Sequence, residues 1–129
     1  MADAAIDRLL ADERRRIAPR ATPADLAGVV ARGGLVVDIR PVDLRDRDGL
    51  LDGALVVGRN VLEWRLDPTS PWRLDEVTRP DQRMVLFCDE GYASSLAAAA
   101  LVRLGLRRAT DLDGGFQAWR RWRDATASR

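Results

Sequence analysis

The stretch from 84 to 104, MVLFCDEGYASSLAAAALVRL, limits the possible folds more than any other part of the chain. Four apolar residues bounded by a polar loop read as a buried strand over Met84 to Phe87. The run of alanine and leucine that follows is strongly helix-forming, with Ser94 or Ser95 as its cap and Gly105 near its end. A strand that leads straight into a helix of this length is half of a crossover, the unit from which parallel sheets are built.

The rest of the chain repeats that alternation. Residues 4–16 place Ile6, Leu9 and Leu10 at helical spacing, which predicts a short amphipathic helix lying on another element. Thr22 and Pro23 mark the start of a second helix that turns Leu26, Val29 and Val30 inward and stops at Gly33-Gly34. Leu35 to Ile39 then reads as a buried strand. Asp43 to Asp48 forms a turn or two of helix, Gly49 and Gly53 break it, and Ala54 to Val57 is a second strand. A short helix over 61–66 leads into an irregular segment holding Trp64, Trp72 and two prolines. The strand at 84–87 follows, then a last strand over 108–112. Gly114-Gly115 leads into a terminal helix whose buried side carries Phe116, Trp119 and Trp122. The outcome is an α/β fold with a parallel central sheet and helices on both faces. At 129 residues the chain is one domain around one core.

Composition removes more functions than it suggests. The 21 basic residues, all arginine, nearly balance 20 acidic ones along the whole length, so no overall field points to nucleic acid or to a membrane surface. The lack of lysine reads as codon bias. With no histidine and one cysteine, the chain can build no Cys/His dyad, no Ser/His/Asp triad, no thiolate or imidazole metal cluster and no internal disulfide. No window approaches the roughly 18 apolar residues of a membrane span, and the first residues hold no apolar signal core. The expected setting is cytoplasmic and reducing.

Cys88 falls where the 84–87 strand ends, at the carboxyl edge where parallel α/β sheets bind ligands. The loop CDEGYAS, with a central glycine and a helix start behind it, can turn successive amides inward as an anion nest. Such a nest favours the thiolate without any imidazole, and it can hold a persulfide or an oxyanion on the sulfur. The bland alternative is that Cys88 is a small buried hydrophobe.

The segment VLFCDEGYASSLAAAALVRLGLRRATDLDGGFQAW resembles the active-site half of a single-domain rhodanese, with a strand ending in a sulfur-carrying Cys and a closing LDGGFxAW segment. VVDIRPVDL and GLLDGA are similar to that family's first signature, DxR followed by GHxPGA. The resemblance spans residues 22–122. It implies a rhodanese-like three-layer fold over 21–125 after an N-terminal helical extension at 1–20. It also implies a sulfurtransferase that carries sulfane sulfur as a persulfide on Cys88, needs no cofactor, and passes the sulfur to a thiol or cyanide-type acceptor. A non-catalytic rhodanese-like binding or regulatory module is the alternative. Cys88 takes the catalytic role; Asp89, Glu90, Gly91, Tyr92, Ala93 and Ser94 supply the cradle around the substrate, and Asp38 with Arg40 supports it. Arg40 is read either as a countercharge for the site or as an ion-pair partner of Asp38. Asp113, Gly114, Gly115 and Trp119 match the closing motif and read as structural.

Several positions depart from the family pattern. Leu50 and Asp52 stand where the family has His and Pro. Asp89 and Glu90 follow the Cys, Ala93 closes the loop, and the loop carries no cation. If the two carboxylates face the sulfur they repel thiosulfate, and a protein or low-molecular-weight persulfide becomes the donor; if they face solvent they matter little. Tyr92 is a specificity wall or loop packing, and Trp64 and Trp72 line the pocket mouth or pack as core or lid. A cysteine phosphatase would need Arg six residues after the Cys, where this chain has Ser94. With no resolving Cys, a persulfide must be discharged by an outside thiol or cyanide.

Overall fold

The computed structural model describes residues 4–127, so residues 1–3 of the expected N-terminal extension lie outside the described residues. Four parallel strands, β1 (Leu35–Asp38), β2 (Leu55–Val56), β3 (Met84–Phe87) and β4 (Ala109–Asp111), form one sheet in the order β2-β1-β3-β4. The helices are α1 (Ala5–Arg16), α2 (Leu26–Ala31), α3 (Val42–Asp48), α4 (Leu62–Leu66), α5 (Ala93–Leu104) and α6 (Gly115–Ala127), with 3₁₀ turns before α2 and α4. No helix among the described residues is long and apolar enough to cross a membrane.

Every residue of β1 and β3 is buried, which is why Leu35–Val37 and Met84–Phe87 read as apolar runs instead of alternating. Successive side chains nevertheless point to opposite faces. Leu35, Val37, Met84, Leu86 and Cys88 join one core with Ile17, Leu62, Leu66 and the α5 residues Ala97, Ala98, Ala99 and Leu101. Val36, Val85 and Phe87 join a second core on the other face with Ala21, Leu26, Leu112 and Phe116. The three alanines of α5 are fully buried, and their small side chains let the helix axis lie close above the sheet. The two packed faces make the three-layer arrangement.

The differences from the sequence reading concern edges. β2 shortens to two residues, β1 ends at Asp38 and β4 ends at Asp111. Thr22 does cap the 3₁₀ turn over Pro23–Asp25, in a capping box closed by the Asp25 carboxylate. Ser94 and Ser95 do not cap α5. The helix begins at Ala93, ahead of both, and the two serines sit buried in its first turn with their hydroxyls on Asp111. Ile6, Leu9 and Val30 are exposed; α1 is seated instead by Glu13 and Ile17. On α6 only Phe116 is fully buried. Trp119 is half-buried and Trp122 is 39% exposed, because the helix runs past the edge of the sheet. Trp64 and Trp72 are exposed, Trp72 at 67%, and neither lines the cavity at Cys88.

Candidate active site

β3 delivers Cys88 to the carboxyl edge of the sheet, and the α5 N-terminus starts five residues later. Two amides meet the sulfur: Gly91 N–H at 3.2 Å and Ser94 N–H at 3.4 Å. The cradle is therefore narrower than the expected 89–94, since these two are the loop amides that donate to Sγ. The Ser94 hydroxyl lies 3.2 Å from Sγ and donates to the Asp111 carboxylate at 2.7 Å. In this arrangement the thiol proton is directed to Ser94 Oγ.

The first turn of α6 holds the start of the loop in place. Phe116 N–H and Gln117 N–H, in the first turn of α6, donate to the carbonyls of Cys88 (2.9 Å) and Asp89 (3.1 Å). This contact demands a glycine at the helix start. A Cβ on Gly115 would stand 2.6 Å from the Asp89 oxygen and 2.7 Å from the Cys88 oxygen, at a φ of 61°. The Gly91 carbonyl accepts from Arg14 Nη2 at 2.7 Å and Arg20 Nη2 at 3.0 Å, with Ser95 Oγ 3.2 Å away. Gly91 itself has a φ of 91°, which other residues rarely adopt.

Cys88 is 9% exposed and opens into a cavity of about 440 Å³ walled by Ile39, Pro41, Leu44, Tyr92 and Ala93, with Arg59, Asp89 and Glu90 at its polar parts. The Asp89 carboxylate turns to Gln117 Nε2 at 2.8 Å and Arg47 at 3.4 Å. It belongs to a neighbouring open basin with Asp48, Arg47, Arg120 and Arg121, so its charge is compensated by guanidinium groups. Glu90 is exposed and borders both spaces. Tyr92, also exposed, stacks under Arg14, whose guanidinium lies 5.5 Å from the ring centre.

Arg40 is 1% exposed and forks onto Asp38 through Nε (3.0 Å) and Nη2 (2.8 Å), with Nη2 also on the Gly49 carbonyl. Its guanidinium packs 3.9 Å from the Phe116 ring centre. Of the two readings for Arg40, the geometry fits the ion pair that braces the cavity wall.

The residues missed from sequence are those of a second pair. Arg20 holds Asp111 through Nε at 2.8 Å and Nη2 at 3.2 Å. Burial opposes the Arg20 charge, but Asp111, then Asp113 and the Cys88 sulfur, hold its pKa above the ordinary arginine value. Asp111 is fully buried and also accepts from Ser95 Oγ at 2.8 Å. The signal was present: a carboxylate inside the otherwise apolar run ATDL, ending a strand at the same edge as Asp38.

The chain matches the family model for the Rhodanese-like domain over residues 22–121. It is 31% identical over 98 residues to the thiosulfate sulfurtransferase GlpE of Stutzerimonas stutzeri (strain A1501), covering 76% of this chain and 82% of that protein. Among solved structures it resembles RPA3614 of Rhodopseudomonas palustris CGA009, described as a protein of unknown function and possible tyrosine phosphatase. That match has 32% identity and a TM-score of 0.79, and covers 98% of this chain and 94% of that one. It also shares a fold with the human single-domain sulfurtransferase TSTD1, at 23% identity and a TM-score of 0.67 over 81% of this chain and 96% of that one.

Proposed function

The chain belongs to the rhodanese-like domain family, and from that premise we propose that it is a sulfurtransferase in which Cys88 carries sulfane sulfur as a persulfide. The observation that carries this reading is the sulfur itself, at a strand-to-helix junction, facing a cavity and met by the amides of Gly91 and Ser94. Backbone donors aimed at a sulfur favour its anion and suit a terminal persulfide sulfur equally.

In the first half-reaction the Cys88 thiolate attacks the outer sulfur of a donor R–S–S⁻. A new bond forms from Sγ to that sulfur, and the donor's S–S bond breaks with its electron pair leaving on the thiolate RS⁻. In the second, an acceptor thiolate attacks the outer sulfur of the Cys88 persulfide, which returns Cys88 as a thiolate and leaves the acceptor as a persulfide. Cyanide takes the same sulfur as thiocyanate. Neither half changes the overall redox state, and no second cysteine is required.

The donor proposed is an organic persulfide, small or protein-borne. Ile39, Pro41, Leu44 and Ala93 offer apolar contact to a donor's carbon stem, while Glu90 stands free beside the mouth to oppose a small dianion. A phosphatase would need a guanidinium where Ser94 stands, and Ser94 instead directs its hydroxyl to Asp111. Intact-mass measurement after exposure to thiosulfate, a thiol persulfide and a polysulfide tests the proposal. The expected result is a gain of one sulfur that Cys88→Ser abolishes, greatest with the organic persulfide. Absence of any gain with all three donors would overturn it and leave a binding module.

A further inference from the structure

We propose that the N-terminal segment before residue 22 is a working part of the sulfur site, with Arg14 and Arg20 as positioning residues that supply the positive charge the loop lacks. The sulfur's role is taken from the function proposed above, but the claim concerns where the charge and the loop geometry come from.

The segment lies outside the family match at 22–121, yet it is built into the core. Glu13 on α1 is 3% exposed and is paired with Arg103 on α5 and with Arg16. Hydrogen bonding from Arg103 outweighs burial and holds the Glu13 carboxyl below its ordinary range, so the anchor is charged at neutral pH. Ile17 enters the core of the α5 face, and its carbonyl accepts from Thr110 Oγ1 at 2.7 Å. Ala21 then bridges to Leu112 alongside β4. These contacts set the segment's position on both sides of Arg14 and Arg20.

From that position both guanidiniums converge on one atom, the Gly91 carbonyl oxygen. Two cations thus pin Gly91 from outside the loop, the residue whose own N–H donates to Sγ. Arg14 also donates to Ser95 Oγ at 3.1 Å, and Arg20 neutralises Asp111, whose carboxylate is linked to the sulfur through Ser94. Asp111 unpaired would oppose a thiolate; paired with Arg20 it does not. The cations missing between Cys88 and Ala93 are thus present in space, contributed by residues 14 and 20.

The charged and titratable groups around the sulfur are Arg40 with Asp38, Arg59, Asp89, Glu90 and Tyr92 on the cavity side, and Arg14, Arg20, Asp111 and Asp113 behind the loop. Of these, Arg40 is committed to Asp38, Arg59 to Glu63, and Asp89 to Gln117 and Arg47. Arg20 is paired as well, with Asp111 and Asp113, but it and Arg14 alone among these cations also hold the sulfur loop at the Gly91 carbonyl, so theirs is the removal that should be felt at Sγ.

The test is the rate at which iodoacetamide alkylates Cys88 at pH 7 and at pH 10, which needs no sulfur donor. Arg14→Gln is expected to lower the pH 7 rate about threefold and Arg20→Gln about tenfold, within the range a neighbouring charge commands. Both should approach the wild-type rate at pH 10. Arg14→Lys should retain most of the pH 7 rate. Arg15→Gln, which loses only the exposed pairing to Asp12, should behave as wild type. Wild-type alkylation at pH 7 in both Gln variants would overturn the inference, as would a deficit that persists undiminished at pH 10. Should Arg20→Gln fail to fold by circular dichroism, the half-buried Arg14 decides the matter alone. A protein that accepts no sulfur from any donor but shows these shifts loses the proposed function and keeps this inference; normal sulfur loading without the shifts does the reverse.

Discussion

Two carboxylates, Asp38 and Asp111, end strands β1 and β4 at the same edge of the sheet, and each is buried against a guanidinium. The pairs differ in reach. Asp38 meets Arg40 two residues away, and the pair is enclosed by Gly49 and Phe116. Asp111 meets Arg20 across 91 residues of chain and continues through Ser94 to Sγ. One pair therefore fixes a wall, while the other reaches the reactive atom. A buried ion pair is weak evidence for stability in itself, but each leaves a costly charge behind when one partner is removed.

The largest effect expected from breaking this symmetry is on stability at the first pair. Arg40→Ala strands Asp38 with no other side-chain partner among the described residues and opens a void beside Phe116, so unfolding in urea should lose about 3–5 kcal/mol. Arg20→Gln should cost less, because Asp111 keeps both serine hydroxyls and Arg20 is only part-buried. If Arg20→Gln proved the more destabilising of the two, the assignment of wall and relay would have to be exchanged.

Gly115 touches the start of the loop directly. Gly115→Ala drives a methyl group against the Cys88 and Asp89 carbonyls and imposes a strained φ, at a cost of about 2 kcal/mol. Since those carbonyls are what the α6 amides hold, Cys88 alkylation at pH 7 should also slow. An alanine variant with wild-type melting temperature and reactivity would show that the closing motif does not shape the loop.

A smaller effect, with opposite sign to Arg20→Gln, is expected from Asp111→Asn. Removing the carboxylate leaves Arg20 opposed by Asp113 alone and favours the thiolate, so alkylation at pH 7 should rise a few-fold, while Asp38→Asn should leave that rate unchanged and lower stability instead. A fall in rate for Asp111→Asn would mean that Ser94 needs the charge of its acceptor more than the sulfur resents it.

The contrast between the pairs also explains which parts of the molecule were legible in the sequence. The strand-loop-helix unit at Cys88 and the DIR pair are local, so spacing alone places them. The Asp111 pair depends on how residues 17–21 lie along β4, and no periodicity in APRA encodes that. The cap at Ser94 or Ser95 was misplaced for the same reason: serines at a helix start suit the capping role, and only the distant Asp111 recruits their hydroxyls elsewhere. The acidic pair beside the Cys was legible as composition but not as geometry. Asp89 turns to Gln117 and Arg47, and the concern about charge repulsion passes to Glu90.

A third carboxylate held by guanidinium groups, Asp48, sharpens the comparison at the open surface, where the smallest effect belongs. Arg47 donates to it most strongly, and with help from Gln117 and Arg120 this outweighs desolvation and brings its pKa from 3.8 to about 2. A carboxyl whose pKa is depressed in the folded state stabilises the fold above its unfolded value and loses that contribution as the pH falls through the folded value. Asp48 thus contributes fully above about pH 5 and is spent near pH 2. The urea midpoint of the wild type should fall across that window, and Asp48→Asn should show a shallower fall with a slightly lower midpoint at pH 7. Because the arginine partners of Asp48 are about half exposed, added salt should shrink the difference between the two proteins. Salt should barely alter the cost of Arg40→Ala, whose charges are sealed from water, and equal salt sensitivity at both sites would contradict the distinction between an enclosed pair and an open one.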